Sequence, residues 1–153
     1  MPSGSWSVDI ERLQADVFAF VAEGANTPLW RTAAVADRWL DDGPMRPGRR
    51  GRAVRKGMGR NFVLTAEVVD WDPPRYVSYR IVEGMMRGWV ESYSFETIAG
   101  GTRLTIAVDG PPVPNNVLGR LLNPLVERGM VRQGRADFAT LERLLEGQAR
   151  VSR

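Results

Sequence analysis

The sequence predicts an α+β fold in which a seven-stranded, curved antiparallel sheet wraps around one long C-terminal helix. Seven strand-like segments follow one another, six of them joined by connections too short for parallel crossovers. Helical segments are confined to the start and the end of the chain, which is typical of α+β folds. A chain of 153 residues suits one domain. We therefore expect a single domain over residues 1–147 and a disordered tail over 148–153.

A strand and two short helices are predicted first. Apolar and polar residues alternate over 5–10, as in a strand with one buried face. The apolar segment 16–22 predicts a short helix that ends at Gly24. Pro28 suits the first turn of a second short helix, which carries Trp30.

Six further strands are predicted in the middle of the chain. Residues 61–71 are rich in β-branched and aromatic side chains, which favour strands. The six strands are expected at 34–41, 49–57, 61–71, 75–83, 88–98 and 102–109. Turn residues separate or end them at Gly57-Met58-Gly59, Asp72-Pro73-Pro74, Gly100-Gly101 and Gly110-Pro111-Pro112.

The last predicted element is a long helix from Asn123 to about Leu145. Asn123 can cap it, and Pro124 suits its first position. Residues 117–122 form either a separate turn or an extension that kinks at Pro124. One side of the helix is apolar and the opposite side carries arginines. The apolar side consists of Leu122, Val126, Met130, Phe138, Leu141, Leu144 and Leu145.

Composition excludes several kinds of chemistry. The chain has no Cys, which excludes disulfides and thiolate nucleophiles, and no His, the commonest general base and metal ligand. We therefore expect no metal and no cofactor. The N-terminus lacks a secretory signal, and no apolar run is long enough to span a membrane. These features favour a cytoplasmic protein.

A basic segment lies between Arg46 and Arg60, with seven basic residues and no acidic one. Such a segment would attract an anionic ligand, a membrane surface or nucleic acid. Because most of it lies on a predicted strand and no aromatic residue interleaves it, we interpret it as a solvated strand face. We expect no specific binding of nucleic acid.

Five segments spread along the chain resemble the START-like superfamily, also called SRPBCC, and in particular its bacterial polyketide cyclase/dehydrase-type members. The segments are ADVFAFVAEGANTPLW (15–30), DDGPMRPGRRGR (41–52), AEVVDWDPPRYVSYR (66–80), YSFETIAGGTRLTIAVDG (93–110) and RADFATLERLLE (135–146). The resemblance implies the helix-grip fold, with a hydrophobic cavity between the sheet and the long helix. It does not imply one function, because members include lipid carriers, hormone receptors and aromatase/cyclases.

The long helix carries polar and small residues within its apolar side. Gln133, Gly134 and Asp137 lie between Met130 and Leu141. Since glycine adds no packing volume, we interpret this gap as part of a cavity in which Gln133 and Asp137 orient a ligand. The alternative is that a bulky sheet residue fills the gap and that Asp137 pairs with an arginine.

The strand 88–98 carries Trp89, Glu91, Tyr93 and Phe95 on one face, which its aromatic residues indicate to be the inner one. Glu91 would then point into the cavity, where burial would make it an acid or base. The alternative places it at the rim, solvated or paired with Arg80 or Arg87. In the neighbouring strand, Val77, Tyr79 and Ile81 form the expected inner set. The candidate ligand-binding residues are Tyr79, Trp89, Glu91, Tyr93, Met130, Gln133, Gly134 and Asp137, and no catalytic residue is singled out.

Three functions remain open at this point. The first is binding of a hydrophobic small molecule, such as a lipid, a polyketide or an aromatic metabolite. The second is a polyketide cyclase/aromatase that uses tyrosine, arginine and carboxylate side chains for aldol chemistry and dehydration. The third is a protein-interaction or stress-related module without a ligand. The protein is expected to be a monomer or a homodimer.

Overall fold

A computed structural model describes residues 3–57, 59–112 and 115–151, with side chains up to residue 148. The strands are β1 (Ser3–Ile10), β2 (Ala34–Trp39), β3 (Arg50–Gly57), β4 (Arg60–Asp72), β5 (Tyr76–Glu83), β6 (Val90–Ile98) and β7 (Gly101–Asp109). The helices are α1 (Gln14–Ala22), α2 (Thr27–Trp30), α3 (Val117–Leu121) and α4 (Asn123–Val151), and a single 3-10 turn, Gly24–Asn26, joins α1 to α2. The predicted α+β fold class and its order of elements are confirmed.

The seven strands form one antiparallel sheet in the order β1-β7-β6-β5-β4-β3-β2. Strands β2 to β6 each pair with the next strand along the chain, while β1 forms the edge opposite β2 and pairs with β7. Register shifts interrupt the pairing of β4 with β5. Such bulges bend a strand. The resulting curved sheet holds α4 against its concave face.

The core lies between the second half of α4 and the strands β1, β6 and β7. Phe138, Leu141 and Leu145 of α4 are fully buried. The ring of Phe138 lies 6.3 Å from that of Trp6 and 6.1 Å from that of Trp30. This part of the predicted apolar side therefore packs as expected, because it meets apolar side chains of the concave face.

The first part of the predicted apolar side does not pack in the same way. Leu122 and Val126 are 40% and 38% exposed. The strand β1 runs along α4, and the amide of Ser3 donates to Oε1 of Glu127 at 3.1 Å. Since Ser3 is the first residue of β1, the helix before Glu127 extends past that strand. Leu122 and Val126, which periodicity placed on the apolar side of the helix, therefore do not join the core.

Helix α4 begins at Asn123 as predicted, whereas its C-terminal end differs from the prediction. Val117–Leu121 form the separate helix α3, one of the two predicted alternatives, and Asn116 caps it by accepting from the amide of Gly119 at 3.0 Å. Helix α4 continues past Leu145 to Val151. Residues 152 and 153 lie outside the described residues, so the disordered tail and the domain boundary stay predictions.

Two turns bear on the sheet prediction. Gly100 has a φ of +81°, which suits the tight hairpin that joins β6 to β7. The predicted hairpin between β3 and β4 is present, with Gly57 opposite Arg60, although Met58 lies outside the described residues. Strand β6 begins at Val90, so Trp89, which was predicted to lie in this strand, precedes it. The amide of Trp89 instead donates to the carbonyl of Met86 in the preceding turn.

Candidate ligand-binding cavity

A cavity of about 600 Å³ lies between the concave face of the sheet and α4. Ligand cavities are usually about 300–1,000 Å³, so this volume suits a small organic molecule. Most of the wall is apolar or aromatic. The apolar lining includes Trp6, Trp39, Phe62, Leu64, Ile81, Met86, Trp89, Val108 and Met130.

The strand period explains the composition of this wall. In β4 the lining residues Phe62, Leu64 and Ala66 are two positions apart, so their side chains point to the same face. Small residues at Gly51 and Ala53 of β3 continue the wall next to them. Because these positions carry little or no side chain, the sheet and the helix leave a space that larger residues would fill.

A polar cluster of Arg31, Glu91 and Tyr93 forms part of the wall. Nη1 of Arg31 donates to Oε1 of Glu91 at 2.6 Å and to the hydroxyl oxygen of Tyr93 at 2.9 Å. The side chains of Arg31 and Glu91 are 23% and 24% exposed. Arg31 directly follows α2, whereas Glu91 and Tyr93 lie on the inner face of β6, so the cluster joins the start of the chain to the middle of the sheet.

Burial and charge act in opposite directions on Arg31. Burial is the largest single effect and would lower the pKa of its guanidinium, but the charge of Glu91, the hydrogen bond to Glu91 and the effects of other neighbours together outweigh burial and raise that pKa above its ordinary value. Arg31 therefore stays a cation in the cavity wall.

The neighbouring tyrosines stay neutral. Burial raises the pKa of the Tyr79 hydroxyl, and the charges of Glu91 and Asp37 raise it further. Burial also raises the pKa of Tyr93, although Arg31 acts in the opposite direction. The two rings meet edge to face, with centroids 5.7 Å apart. Both hydroxyls can therefore act as neutral hydrogen-bonding groups.

Asp137 of α4 forms a second polar group in the cavity wall. Its Oδ1 accepts from the amide of Thr32 at 3.1 Å, from the Thr32 hydroxyl at 2.8 Å and from Nε2 of Gln133 at 2.9 Å. The residue is only 6% exposed. These bonds tie the middle of α4 to the segment after α2, and thereby hold the helix across the cavity.

A third polar pair lines the cavity on the β2–β3 side. Asp37 and Arg55 form a two-bond ion pair, with Nη2 and Oδ2 at 3.0 Å. Both residues are part of the lining. The inner face of the basic segment is therefore partly neutralised by an acidic residue from the adjacent strand.

Three further arginines of the basic segment, Arg46, Arg49 and Arg50, also pair with acidic residues outside it. Arg49 is 8% exposed, stacks 4.4 Å from the ring centroid of Trp39 and donates to the carbonyl of Asp41 at 2.9 Å. Arg50 pairs with Glu67 at 2.8 Å across β3 and β4. The interpretation as a solvated strand face is therefore wrong for Arg49, since tertiary contacts bury its side chain.

The structure brings all eight predicted ligand-binding residues to one cavity. The cavity wall includes Tyr79, Trp89, Glu91, Tyr93, Met130, Gln133, Gly134 and Asp137. Their location on the inner face is as expected from strand and helix periodicity. Their role in binding a ligand stays a prediction.

Details at three of these positions differ from expectation. The gap at Gly134 is filled by the indole of Trp6, so the alternative that a bulky sheet residue occupies it is the one observed. Asp137 bonds to neutral donors of Thr32 and Gln133, whereas an arginine was the expected alternative. For Glu91, the alternative expectation was an ion pair with Arg80 or Arg87. Glu91 does pair with an arginine, but the partner is Arg31.

Sequence reasoning missed several residues of the cavity. Arg31 and Asp37 line the cavity, and Thr32 holds Asp137 of its wall, but no motif in the sequence marks these three residues. The one available signal was the position of Arg31, a charged residue directly after the buried Trp30. Its partner Glu91 lies 60 residues further along the chain, and no local pattern links the two.

The described residues offer neither a metal site nor a membrane-spanning helix. Among residues 3–57, 59–112 and 115–151, no group of three or more metal-ligating side chains is arranged to hold an ion. No helix in the same part of the chain combines the length and apolar character that a bilayer span needs.

The family described as polyketide cyclase/dehydrase and lipid transport matches residues 1–146. The chain belongs to this family. The match confirms the resemblance to the START-like superfamily. No curated protein matches the sequence.

Several solved structures have the same fold as this member of the family. TTHA0849 from Thermus thermophilus has a TM-score of 0.79 at 17% identity, over 96% of this chain and 99% of its own. The di-domain ARO/CYC BexL from the BE-7585A biosynthetic pathway has a TM-score of 0.74 at 17% identity, over 95% of this chain and 47% of its own. The di-domain ARO/CYC StfQ from the steffimycin biosynthetic pathway has a TM-score of 0.73 at 11% identity, over 96% of this chain and 51% of its own. This chain spans about half the length of either di-domain protein, and the similarity concerns the fold.

Proposed function

We propose that this protein binds a hydrophobic small molecule, such as a lipid, a polyketide or an aromatic metabolite, in the cavity between the sheet and α4. The observation that carries the proposal is an apolar cavity of about 600 Å³ with a buried polar cluster in its wall. Apolar walls supply affinity through burial, and a few fixed polar groups orient the ligand. The family description, which includes lipid transport, supports the same function.

The first experiment identifies a natural ligand. The protein is purified from its own host and analysed by native mass spectrometry, which we expect to show a bound small molecule that denaturation releases. A protein-interaction module would instead yield an unfilled cavity and a macromolecular partner. Localisation in the cytoplasm and a monomeric or homodimeric state stay predictions.

A second experiment tests the cavity directly with the neutral fluorescent probe N-phenyl-1-naphthylamine. Ala66 lines the cavity, so Ala66→Leu should fill part of it and weaken probe binding about tenfold. Ala107→Leu is the matched control, because Ala107 is exposed on β7 and does not line the cavity. Absence of probe binding to the wild-type protein, or equal binding to both variants, would contradict the proposal.

The second candidate function is a polyketide cyclase/aromatase. The cluster of Arg31, Tyr93 and Glu91 favours it, because a guanidinium can stabilise the oxyanion of an enolate while a carboxylate accepts the proton from carbon. An intramolecular aldol step would then form one carbon–carbon bond, and dehydration would release one water. The ARO/CYC designations of BexL and StfQ agree with this candidate. Mass spectrometry of a poly-β-keto thioester after incubation distinguishes the two functions, since a binder returns the substrate unchanged and a cyclase yields a product lighter by one water.

A further inference from the structure

The polar groups of the cavity wall have a specific charge balance. Four acidic and four basic residues line the cavity, so their formal charges cancel. The acidic residues are Glu23, Asp37, Glu91 and Asp137, and the basic residues are Arg31, Arg38, Arg52 and Arg55. Arg31 pairs with Glu91 and Arg55 pairs with Asp37, whereas Arg38 and Arg52 form no ion pair with the residues that the structure describes. The charge that a ligand meets therefore differs from one part of the wall to another.

The charge of Arg31 is already compensated inside the protein. Its Nη1 lies 2.6 Å from Oε1 of Glu91, and the charge of Asp137 also acts on it. One carboxylate pairs directly with this guanidinium and a second one acts on it more weakly, so the three side chains together carry a formal charge of −1. A ligand carboxylate placed here would meet two like charges and one cation that is already paired, which disfavours its binding.

The same group still offers hydrogen bonds to a neutral ligand. Arg31 bonds to the described side chains through Nη1 alone, so Nε and Nη2 have no acceptor among them. The hydroxyl of Tyr79 forms no hydrogen bond to any residue that the structure describes. Its pKa is raised, so it remains a neutral donor. A carbonyl or hydroxyl oxygen can accept from such donors without adding charge.

We propose that the part of the cavity around Arg31 and Tyr79 selects the carbonyl or hydroxyl group of a neutral ligand, and that it discriminates against a carboxylate there because Glu91 already pairs with Arg31. This inference rests on the proposed function and names the ligand class for the same cavity. Glu91 is then a specificity-determining residue, since it sets the charge that the ligand meets.

The test compares two ligands of nearly equal shape. The methyl ketone 2-acetylnaphthalene is neutral, and 2-naphthoate is an anion at neutral pH. Binding is followed by quenching of tryptophan fluorescence, since Trp39 and Trp89 lie in the cavity wall, and is verified by calorimetry. We expect the wild-type protein to bind the ketone about tenfold more tightly, or better, than the carboxylate.

The variant Glu91→Gln keeps the size of the side chain and removes its charge, so Arg31 becomes available to an anion. We expect the affinity for 2-naphthoate to rise about tenfold while the affinity for the ketone changes less than about threefold. Glu96→Gln is the matched control. It removes the same charge from the same strand, but Glu96 is exposed and lies on the opposite face of β6. It should leave the ratio of the two affinities unchanged.

The possible results separate the two proposals. If neither ligand binds the wild-type protein, the proposed function fails. If both bind and 2-naphthoate binds as tightly as the ketone, the cavity is a binding site and the charge selectivity is wrong. The wild-type comparison requires no variant, so it decides the question even if Glu91→Gln does not fold. A ratio that shifts equally in Glu91→Gln and Glu96→Gln would show that net charge, and not the pair with Arg31, controls selection.

Discussion

The indole of Trp6 lies against the bare Cα of Gly134, so the first strand and the long helix approach more closely than any larger residue would allow. A Cβ at position 134 would overlap Cε2 of the indole and lie 2.5 Å from its Nε1. Trp6 is 6% exposed and also packs against Phe138 one turn further along α4. Gly134 therefore permits a contact that forms part of the cavity wall.

The first prediction concerns this contact. We expect Gly134→Ala to lower the free energy of unfolding by about 1–3 kcal/mol, because overpacking against Trp6 outweighs the gain in helix propensity of about 1 kcal/mol. Gly129→Ala is the matched control in the same helix. A Cβ there meets nothing within 4 Å, so this variant should be more stable by up to about 1 kcal/mol. Urea unfolding of both variants checks the prediction, which fails if Gly134→Ala is as stable as Gly129→Ala.

The second prediction concerns Asp137. In Asp137→Ala, the amide and the hydroxyl of Thr32 lose their acceptor, and each buried donor left unpaired costs about 1–3 kcal/mol. Asp137→Asn retains an acceptor oxygen and should lose less than half as much stability. Equal destabilisation of the two variants in thermal unfolding would show that the charge of Asp137, and not its hydrogen bonds, holds α4 in place.

The third prediction is a loss of stability at high pH. The folded-state pKa of Tyr79 lies above its unfolded value of about 10, so the folded protein keeps the proton longer. Stability from this residue is complete below pH about 10 and falls by about 1.4 kcal/mol per pH unit as pH rises further. The pKa of Tyr93 is also raised by burial, so Tyr79 accounts for one part of the alkaline loss of stability and Tyr93 for another.

The variant Tyr79→Phe tests this assignment. Its free energy of unfolding should decline less steeply with pH than that of the wild-type protein, since phenylalanine cannot ionise. Urea unfolding at intervals between pH about 9.5 and 11.5 measures the slope. Parallel curves for the two proteins would mean that Tyr79 does not contribute to the alkaline transition.

The fourth prediction concerns Arg49. Its guanidinium stacks on Trp39 and donates to Asp41, an arrangement that a lysine cannot reproduce because it lacks a planar group. We expect Arg49→Lys to destabilise the protein by about 1 kcal/mol. Arg60→Lys, at an exposed position in the same basic segment, should change stability by less than about 0.5 kcal/mol. A melting temperature unaffected by Arg49→Lys would contradict the stacked geometry.

Local patterns were sufficient where one face of an element is buried along its whole length. In β6, alternation placed Glu91, Tyr93 and Phe95 on one face, and the structure confirms that this face is the inner one. The periodicity of α4 likewise identified Phe138 and Leu141 as core residues. The same periodicity failed at Leu122 and Val126, since the pattern does not tell how far the partner strand extends beside the helix.

The sequence by itself determined the order of the elements, the antiparallel sheet and the inner faces of strands and helix, because these follow from local periodicity and turn chemistry. Only the tertiary structure decided which side chains meet across the cavity. Arg31 and Glu91 are 60 residues apart in the sequence, and Trp6 and Gly134, which are in contact, lie near opposite ends of the chain. The physical reason is that such pairs depend on the curvature of the sheet and on the approach of α4, which hundreds of weak contacts set together and no short segment encodes.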